Sequence, residues 1–167
     1  MLNSVGKPMT ASTMTSSKDQ IYSGNLAKRE AFKFDDAVAD VFDDMINRSV
    51  PGYRTITKMS GLIASAYSLP NSNLYDLGCS VGSSTLEMRS QALPENCMIK
   101  AIDNSKSMLT KFRQAIAEDK NDIPVDFQRI DLEDAKITNA SIVLLNWTLQ
   151  FIAKENREQV IQNIYNG

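Results

Sequence analysis

From Phe34 onward the apolar residues of this chain recur with a helical period. Val38, Val41, Phe42 and Met45 fall at helical spacing behind Asp35 and Asp36, acids that favour a helix N-terminus. The run Ser49-Val50-Pro51-Gly52 breaks that helix. A second helical pattern follows, with Tyr53, Ile56, Met59, Leu62, Ile63 and Ala66 on one side, and it ends before Pro70. That side is the stripe such a helix is expected to bury.

Beyond Pro70 the pattern alternates between short apolar runs and helical stretches. Strands are predicted over residues 73–77, 98–102, 124–130 and 141–145. Helices are predicted from Thr85, Leu86, Met88 and Arg89 to about Leu93, over 107–118 with Met108, Leu109, Phe112 and Ile116, and over 154–165. Apolar-rich strands alternating with helices, the fourth apolar throughout, mark a parallel sheet covered on both faces. The fold class is therefore α/β, a Rossmann-like doubly wound sheet with two helices in front of it. The connection over residues 131–140 is too short for a helix and is the weakest element of that topology.

Composition narrows the picture. In 167 residues the hydrophobic fraction is 43% and the charged fraction 23%, which excludes wholesale disorder. Eighteen basic and twenty acidic residues leave a net charge of −2, so no overall basic footprint for nucleic acid exists. No apolar run is long enough to cross a bilayer, and Cys79 and Cys97 are too few for a disulfide framework. These features suit a cytoplasmic protein. Histidine is absent, which removes every Ser-His-Asp, Cys-His and His-ligated zinc mechanism built within this chain. Residues 1–20 are rich in Ser and Thr and lack both an apolar signal core and arginines, so a flexible tail is expected there. Residues 21–167 are expected to form the N-terminal part of a domain whose C-terminal strands are missing.

In a doubly wound sheet, ligands bind at the carboxyl ends of the strands. Four predicted strand ends carry polar residues. The first is Asp76-Leu77-Gly78-Cys79-Ser80-Val81-Gly82, a turn whose glycines permit positive φ or close approach of backbone. The second is Asp103, about 20 residues beyond that loop, where an acid suits a ribose diol. Asp131 ends the third strand and Asn146 the fourth. Each has a plainer role open to it: a helix cap for Asp103, an Asx-turn for Asp131, local backbone bonding for Asn146. Their occurrence at four successive strand ends favours a nucleoside ligand. A pyrophosphate would need Gly-x-Gly-x-x-Gly, yet Ser80 and Ser83 stand at two glycine positions. The spacing Asp-x-Gly-x-x-x-Gly instead resembles the S-adenosylmethionine-dependent methyltransferase fold, whose ligand carries no phosphate.

A narrower resemblance runs from about Tyr22 to Gly167. The blocks Val41-Phe42-Asp43-Asp44-Met45-Ile46-Asn47-Arg48-Ser49-Val50-Pro51-Gly52-Tyr53, Tyr75-Asp76-Leu77-Gly78-Cys79-Ser80, Ala101-Ile102-Asp103-Asn104-Ser105 and Leu145-Asn146-Trp147-Thr148-Leu149-Gln150-Phe151 resemble the bacterial carboxy-S-adenosylmethionine synthase family. The resemblance implies conversion of S-adenosylmethionine and prephenate to carboxy-S-adenosylmethionine and phenylpyruvate. It also implies a homodimer, with a tRNA carboxymethyltransferase using the product on wobble uridine. No direct contact with nucleic acid and no membrane attachment are expected.

Carried onto this sequence, the family's ligand contacts fall on Tyr53, Gly78, Cys79, Ser80, Asp103, Asn104, Asp131, Leu132 and Asn146. Asp103 would hold the ribose hydroxyls, Asn104 and Asp131 would frame the adenine, and Tyr53 would close over the sulfonium end. Leu132 replaces the family's usual isoleucine. In the family's chemistry the substrates supply the reactivity, prephenate releasing carbon dioxide that a sulfonium ylide captures. No side chain is therefore assigned as catalytic, no metal is expected, and Cys79 reads as a small loop residue. Family members continue past Gly167 with further strands and an arginine for the added carboxylate, so this sequence is expected to be truncated, with residues 141–145 at an exposed edge. A conventional methyltransferase, or an inactive remnant binding nucleoside weakly, stays open as an alternative.

Overall fold

The computed structural model describes residues 36–167. The flexible tail expected over residues 1–20 lies outside the described residues, as do Phe34 and Asp35. Two helices come first, α1 (Asp36–Ser49) and α2 (Tyr53–Tyr67). They are followed by β1 (Asn73–Leu77), α3 (Ser83–Arg89), β2 (Met98–Ile102), α4 (Lys106–Glu118), β3 (Val125–Gln128), β4 (Ala140–Leu144) and α5 (Arg157–Tyr165). The four strands form one sheet in the order β3-β2-β1-β4, and every neighbouring pair is parallel. The order of strand addition switches sides at β1, with β2 and β3 on one side and β4 on the other. That is a topological switch point, and it lies where Gly78, Asp103 and Asn146 emerge.

Both faces of the sheet are covered. On one, Leu74, Ile99 and Ile142 pack with Ala64 of α2 and Met88 of α3, while Ala101 meets Leu109 and Phe112 of α4. On the other, Tyr75, Leu77 and Ile102 are covered by Ala135 and Ile137, with Ile164 of α5 beside them. The short β3–β4 connection does this without a helix. It makes a single 3-10 turn, Leu132–Asp134, and then runs across the sheet as an apolar strap. The Tyr75 hydroxyl pins the strap's end, donating to the Thr138 carbonyl at 3.1 Å and accepting the Thr138 N–H at 3.0 Å. A fully wound crossover is therefore unnecessary to bring β4 parallel to β1.

Three expectations need correction. The helix after β1 stops at Arg89 rather than near Leu93, because Ser90 caps it. Residues 154–156 form a 3-10 turn, and the last helix starts at Arg157. The largest change concerns α2. Its packed residues are Tyr53, Thr57, Ser60, Gly61 and Ala64, whereas Ile56, Met59, Leu62 and Ile63 are exposed. The reason is close approach: a Cβ on Gly61 would lie 2.6 Å from the Glu87 carbonyl oxygen of α3. Two helices that near can tolerate only small side chains between them, so the bulky stripe is turned outward.

At the far end of the sheet, Arg89 is buried and ties α3 to the loop after α4. Its guanidinium pairs with Asp119 at 2.6 Å and donates to the carbonyls of Asn121 and Ile123. Every donor direction it has toward the loop meets an acceptor, which is how a buried guanidinium is tolerated.

Candidate functional site

The four strand ends open into one cavity of about 690 Å³, a size suited to a small organic ligand. All nine residues singled out from the sequence line it: Tyr53, Gly78, Cys79, Ser80, Asp103, Asn104, Asp131, Leu132 and Asn146. None is left outside.

The loop after β1 is shaped by β2. Gly78 and Cys79 both donate their backbone N–H to the Ile102 carbonyl, at 2.8 and 3.0 Å. Ser80 then takes φ of 51°, in the left-handed region, and its N–H donates to Asp103 Oδ2 at 2.9 Å. The other oxygen, Oδ1, accepts the Ser105 N–H at 2.8 Å. Asp103 is thus not the helix cap; Ser105 is, its hydroxyl accepting from Met108 N. Each carboxylate oxygen keeps a further lone pair for a ligand. Burial raises the Asp103 pKa, with the two backbone bonds working against that shift.

Asn104 Nδ2 donates to Asp131 Oδ1 at 2.8 Å, across the ends of β2 and β3. Both side chains are exposed at the cavity rim, and Leu132 follows at the start of the 3-10 turn. No side-chain cap bond is made by Asp131, which argues against a purely local turn role. Asn146 is tied to distant elements rather than to local backbone. Its Nδ2 donates to Ser60 Oγ of α2 at 3.2 Å and to Ser84 Oγ of α3 at 3.1 Å. Tyr53, at the start of α2, stacks on Trp147 with ring centroids 5.0 Å apart. Burial raises its phenol pKa, and a hydrogen bond with Ser83 partly offsets this.

Sequence reasoning placed Asp76 at the first strand end without naming it among the ligand contacts, and missed Ser84 and Trp147 as cavity residues. Asp76 lies at the end of β1, is buried, and accepts the Thr85 hydroxyl at 2.7 Å. Desolvation lifts its carboxyl to about 6, against the hydrogen bonds from Thr85. Cys79 is also buried, and desolvation followed by the neighbouring Asp76 and Asp103 pushes its thiol well above the ordinary range. A thiol held protonated is a poor nucleophile, in line with its reading as a loop residue.

The charge of the cavity is one-sided. Asp76, Asp103, Asp131 and Glu133 line it, and among the described residues that line it there is no lysine or arginine. Such walls disfavour a phosphate and favour a ligand carrying positive charge and hydroxyl donors. Among the described residues no His/Cys/Asp/Glu cluster has metal-binding geometry.

Comparison with known proteins agrees with this geometry. The model of the methyltransferase domain family matches residues 74–167. The carboxy-S-adenosyl-L-methionine synthase of Shewanella pealeana is 46% identical over 154 residues, 92% of this chain and 63% of that protein. The Yersinia pestis protein of the same name is 44% identical over 150 residues, 90% of this chain and 56% of that one. The chain therefore spans about three fifths of the length of these relatives. Among solved structures, magnesium protoporphyrin IX methyltransferase from Synechocystis PCC 6803, with bound SAM, superposes with a TM-score of 0.55 at 19% identity. That match covers 83% of this chain and 74% of the other. Phosphoethanolamine N-methyltransferase 1 of Haemonchus contortus, in complex with phosphoethanolamine and S-adenosylhomocysteine, gives 0.56 at 18%, covering 78% and 27%. At such identities the likeness speaks for the fold alone. Since the family model covers more than half of the sequence, and the parallel sheet carries its glycine loop and acidic strand ends where that fold binds its ligand, the chain belongs to the methyltransferase domain family.

Proposed function

We propose that the cavity binds S-adenosyl-L-methionine, and that the chain is the nucleoside-binding part of a carboxy-S-adenosyl-L-methionine synthase. The observation that carries the first step is Asp103. Its carboxylate is locked by two backbone N–H groups beside the glycine loop, in a cavity whose described lining residues include four acids and no lysine or arginine. A ribose diol supplies the donors that Asp103 lacks, and a sulfonium with an ammonium suits acidic walls. The second step rests on the relatives of that name, 44–46% identical across nine-tenths of this chain.

In this reading Asn104 and Asp131 frame the adenine at the rim, and Tyr53 with Trp147 closes the sulfonium end. The reaction takes S-adenosyl-L-methionine and prephenate to carboxy-S-adenosyl-L-methionine and phenylpyruvate. The chain's own contribution is to position the two substrates and exclude water between them. The family resemblance carries the rest of the proposal: a cytoplasmic homodimer whose product passes to a tRNA carboxymethyltransferase acting on wobble uridine.

The test is incubation of the full-length protein with S-adenosyl-L-methionine, with and without prephenate, followed by mass spectrometry of the nucleoside products. A gain of a carboxylate on the sulfonium nucleoside, dependent on prephenate, is expected. Appearance of S-adenosylhomocysteine with a methylated acceptor would replace this reading by a conventional methyltransferase.

A further inference from the structure

The side chain of Asn146 is held by two serines in a way that decides what it can offer a ligand. An asparagine amide has an accepting oxygen and a donating NH₂, and their placement follows from the hydrogen bonds around them. Ser60 settles the matter. Its hydroxyl has a single hydrogen, and that hydrogen is donated to the Ile56 carbonyl at 3.0 Å. Ser60 Oγ can then only accept from Asn146, so the atom facing it, 3.2 Å away, must be the NH₂. The second N–H goes to Ser84 Oγ at 3.1 Å. Both donors are spent.

What remains is Oδ1. Among the described residues no donor reaches it, yet it is not sealed inside the protein. Ser68 Oγ is the one fully buried side-chain polar atom without a partner among them. The open space beside Asn146 is the cavity. The main chain there is fixed as well, because Thr148 Oγ1 donates to the Asn146 carbonyl at 3.0 Å.

We infer that Ser60 and Ser84 are positioning residues that turn Asn146 into a dedicated acceptor, selecting ligands that bring a hydrogen-bond donor to the β4 end of the cavity. On the proposed ligand, which this inference presupposes, the donor is the α-ammonium of the methionine portion. Asp103 has the ribose, and the acidic walls favour the charge.

The test is calorimetric binding of S-adenosyl-L-methionine and of its deaminated analogue, in which hydrogen replaces the ammonium. The parent chain should prefer the amine by about tenfold or more, the scale of a hydrogen bond to a charged group. In Ser60→Ala, and more so in Ser60→Ala/Ser84→Ala, the amide is free to turn its NH₂ inward. The preference should then shrink several-fold, while affinity for the deaminated analogue barely changes. Thermal melts of each variant establish that it is folded. Equal weakening of both ligands would show a merely structural role and overturn the inference. Equal affinity of the parent for both would overturn it too, while leaving the proposed ligand in place. Failure of S-adenosyl-L-methionine itself to bind the parent would remove the proposed ligand and this inference together.

Discussion

Asp103 Oδ2 accepts the backbone N–H of Ser80 at 2.9 Å, so the acidic end of β2 holds the loop after β1 in its binding shape. One carboxylate thereby does two things: it organises the loop at a residue with φ of 51° and faces the cavity with its free lone pairs. Changing Asp103 to Ala should lower affinity for S-adenosyl-L-methionine by roughly ten- to a hundredfold, the value of about 1.5–3 kcal/mol for a charged hydrogen bond. Asp103→Asn can accept only one of the two backbone N–H groups and sets its NH₂ against the other, so it should bind no better than the alanine variant. Calorimetric titration showing unchanged affinity in the alanine variant would remove Asp103 from the site.

Trp147 offers a direct optical test of where the ligand sits. It is the single tryptophan of the chain, lines the cavity, and stacks on Tyr53. Occupation of the cavity must change its surroundings, so its fluorescence should shift or quench saturably as S-adenosyl-L-methionine is added. The midpoint should match the calorimetric one. Calorimetric binding with no fluorescence change at all would place the ligand elsewhere.

How much of this was legible in the sequence depended on the range of the interaction. β1 and β2 match their predicted bounds because each is a short apolar-rich run closed off by turn residues. Eight of the nine site residues follow strand ends and converge because parallel topology alone carries strand ends to one side of a sheet, while Tyr53 is brought there by the start of α2. The face of α2 was not legible. Periodicity shows which residues share a stripe, but the Gly61–Glu87 approach that turns the small face inward is a tertiary fact. The same holds for Ser60 and Ser84, whose role exists only through Asn146, 86 and 62 residues away. Trp147 did carry a signal, an aromatic residue directly after a predicted strand end. Asp76 carried one too, as the acid opening the glycine loop.

Asp76 makes stability depend on pH in a direction unusual for a carboxylate. Its native pKa is about 6, above the ordinary 3.8, because burial outweighs the Thr85 hydrogen bonds. The native state therefore binds this proton more tightly than the unfolded chain. Stability from this group is present below about pH 4 and is lost as pH rises through 6. The full effect is about 3 kcal/mol at 1.36 kcal/mol per unit. Asp76→Asn keeps an acceptor for Thr85 and removes the titration. Its stability advantage over the parent, from urea unfolding, should grow between pH 4 and 6 and then level off. An advantage that does not vary with pH would mean that Asp76 stays ionised in the native state.

The last prediction concerns Gly82, where the glycine loop becomes α3. Its φ is +90°, a conformation that costs a residue with a Cβ about 1–2 kcal/mol. The space is also taken. A Cβ there would overlap the ring of Phe112, a fully buried residue of α4 that packs edge-on against Phe127 with centroids 4.9 Å apart. Phe112 cannot retreat without disturbing the contacts it shares with Cys79, Ala101 and Leu109, and overpacking of this kind costs about 1–3 kcal/mol more. Gly82→Ala should therefore destabilise by about 2–5 kcal/mol in urea unfolding. Gly52 provides the control, since its φ is +76° but nothing lies within 4 Å of the position a Cβ would take. Gly52→Ala carries the backbone cost alone, about 1–2 kcal/mol. The excess of Gly82→Ala over Gly52→Ala measures the pressure of the loop on α4. Because Cys79 belongs to both the loop and that cluster, the same variant should also weaken ligand binding, whereas Gly52→Ala should weaken it less. Equal destabilisation by the two substitutions would show that Phe112 yields freely, and that the glycine loop is not braced by the core beneath it.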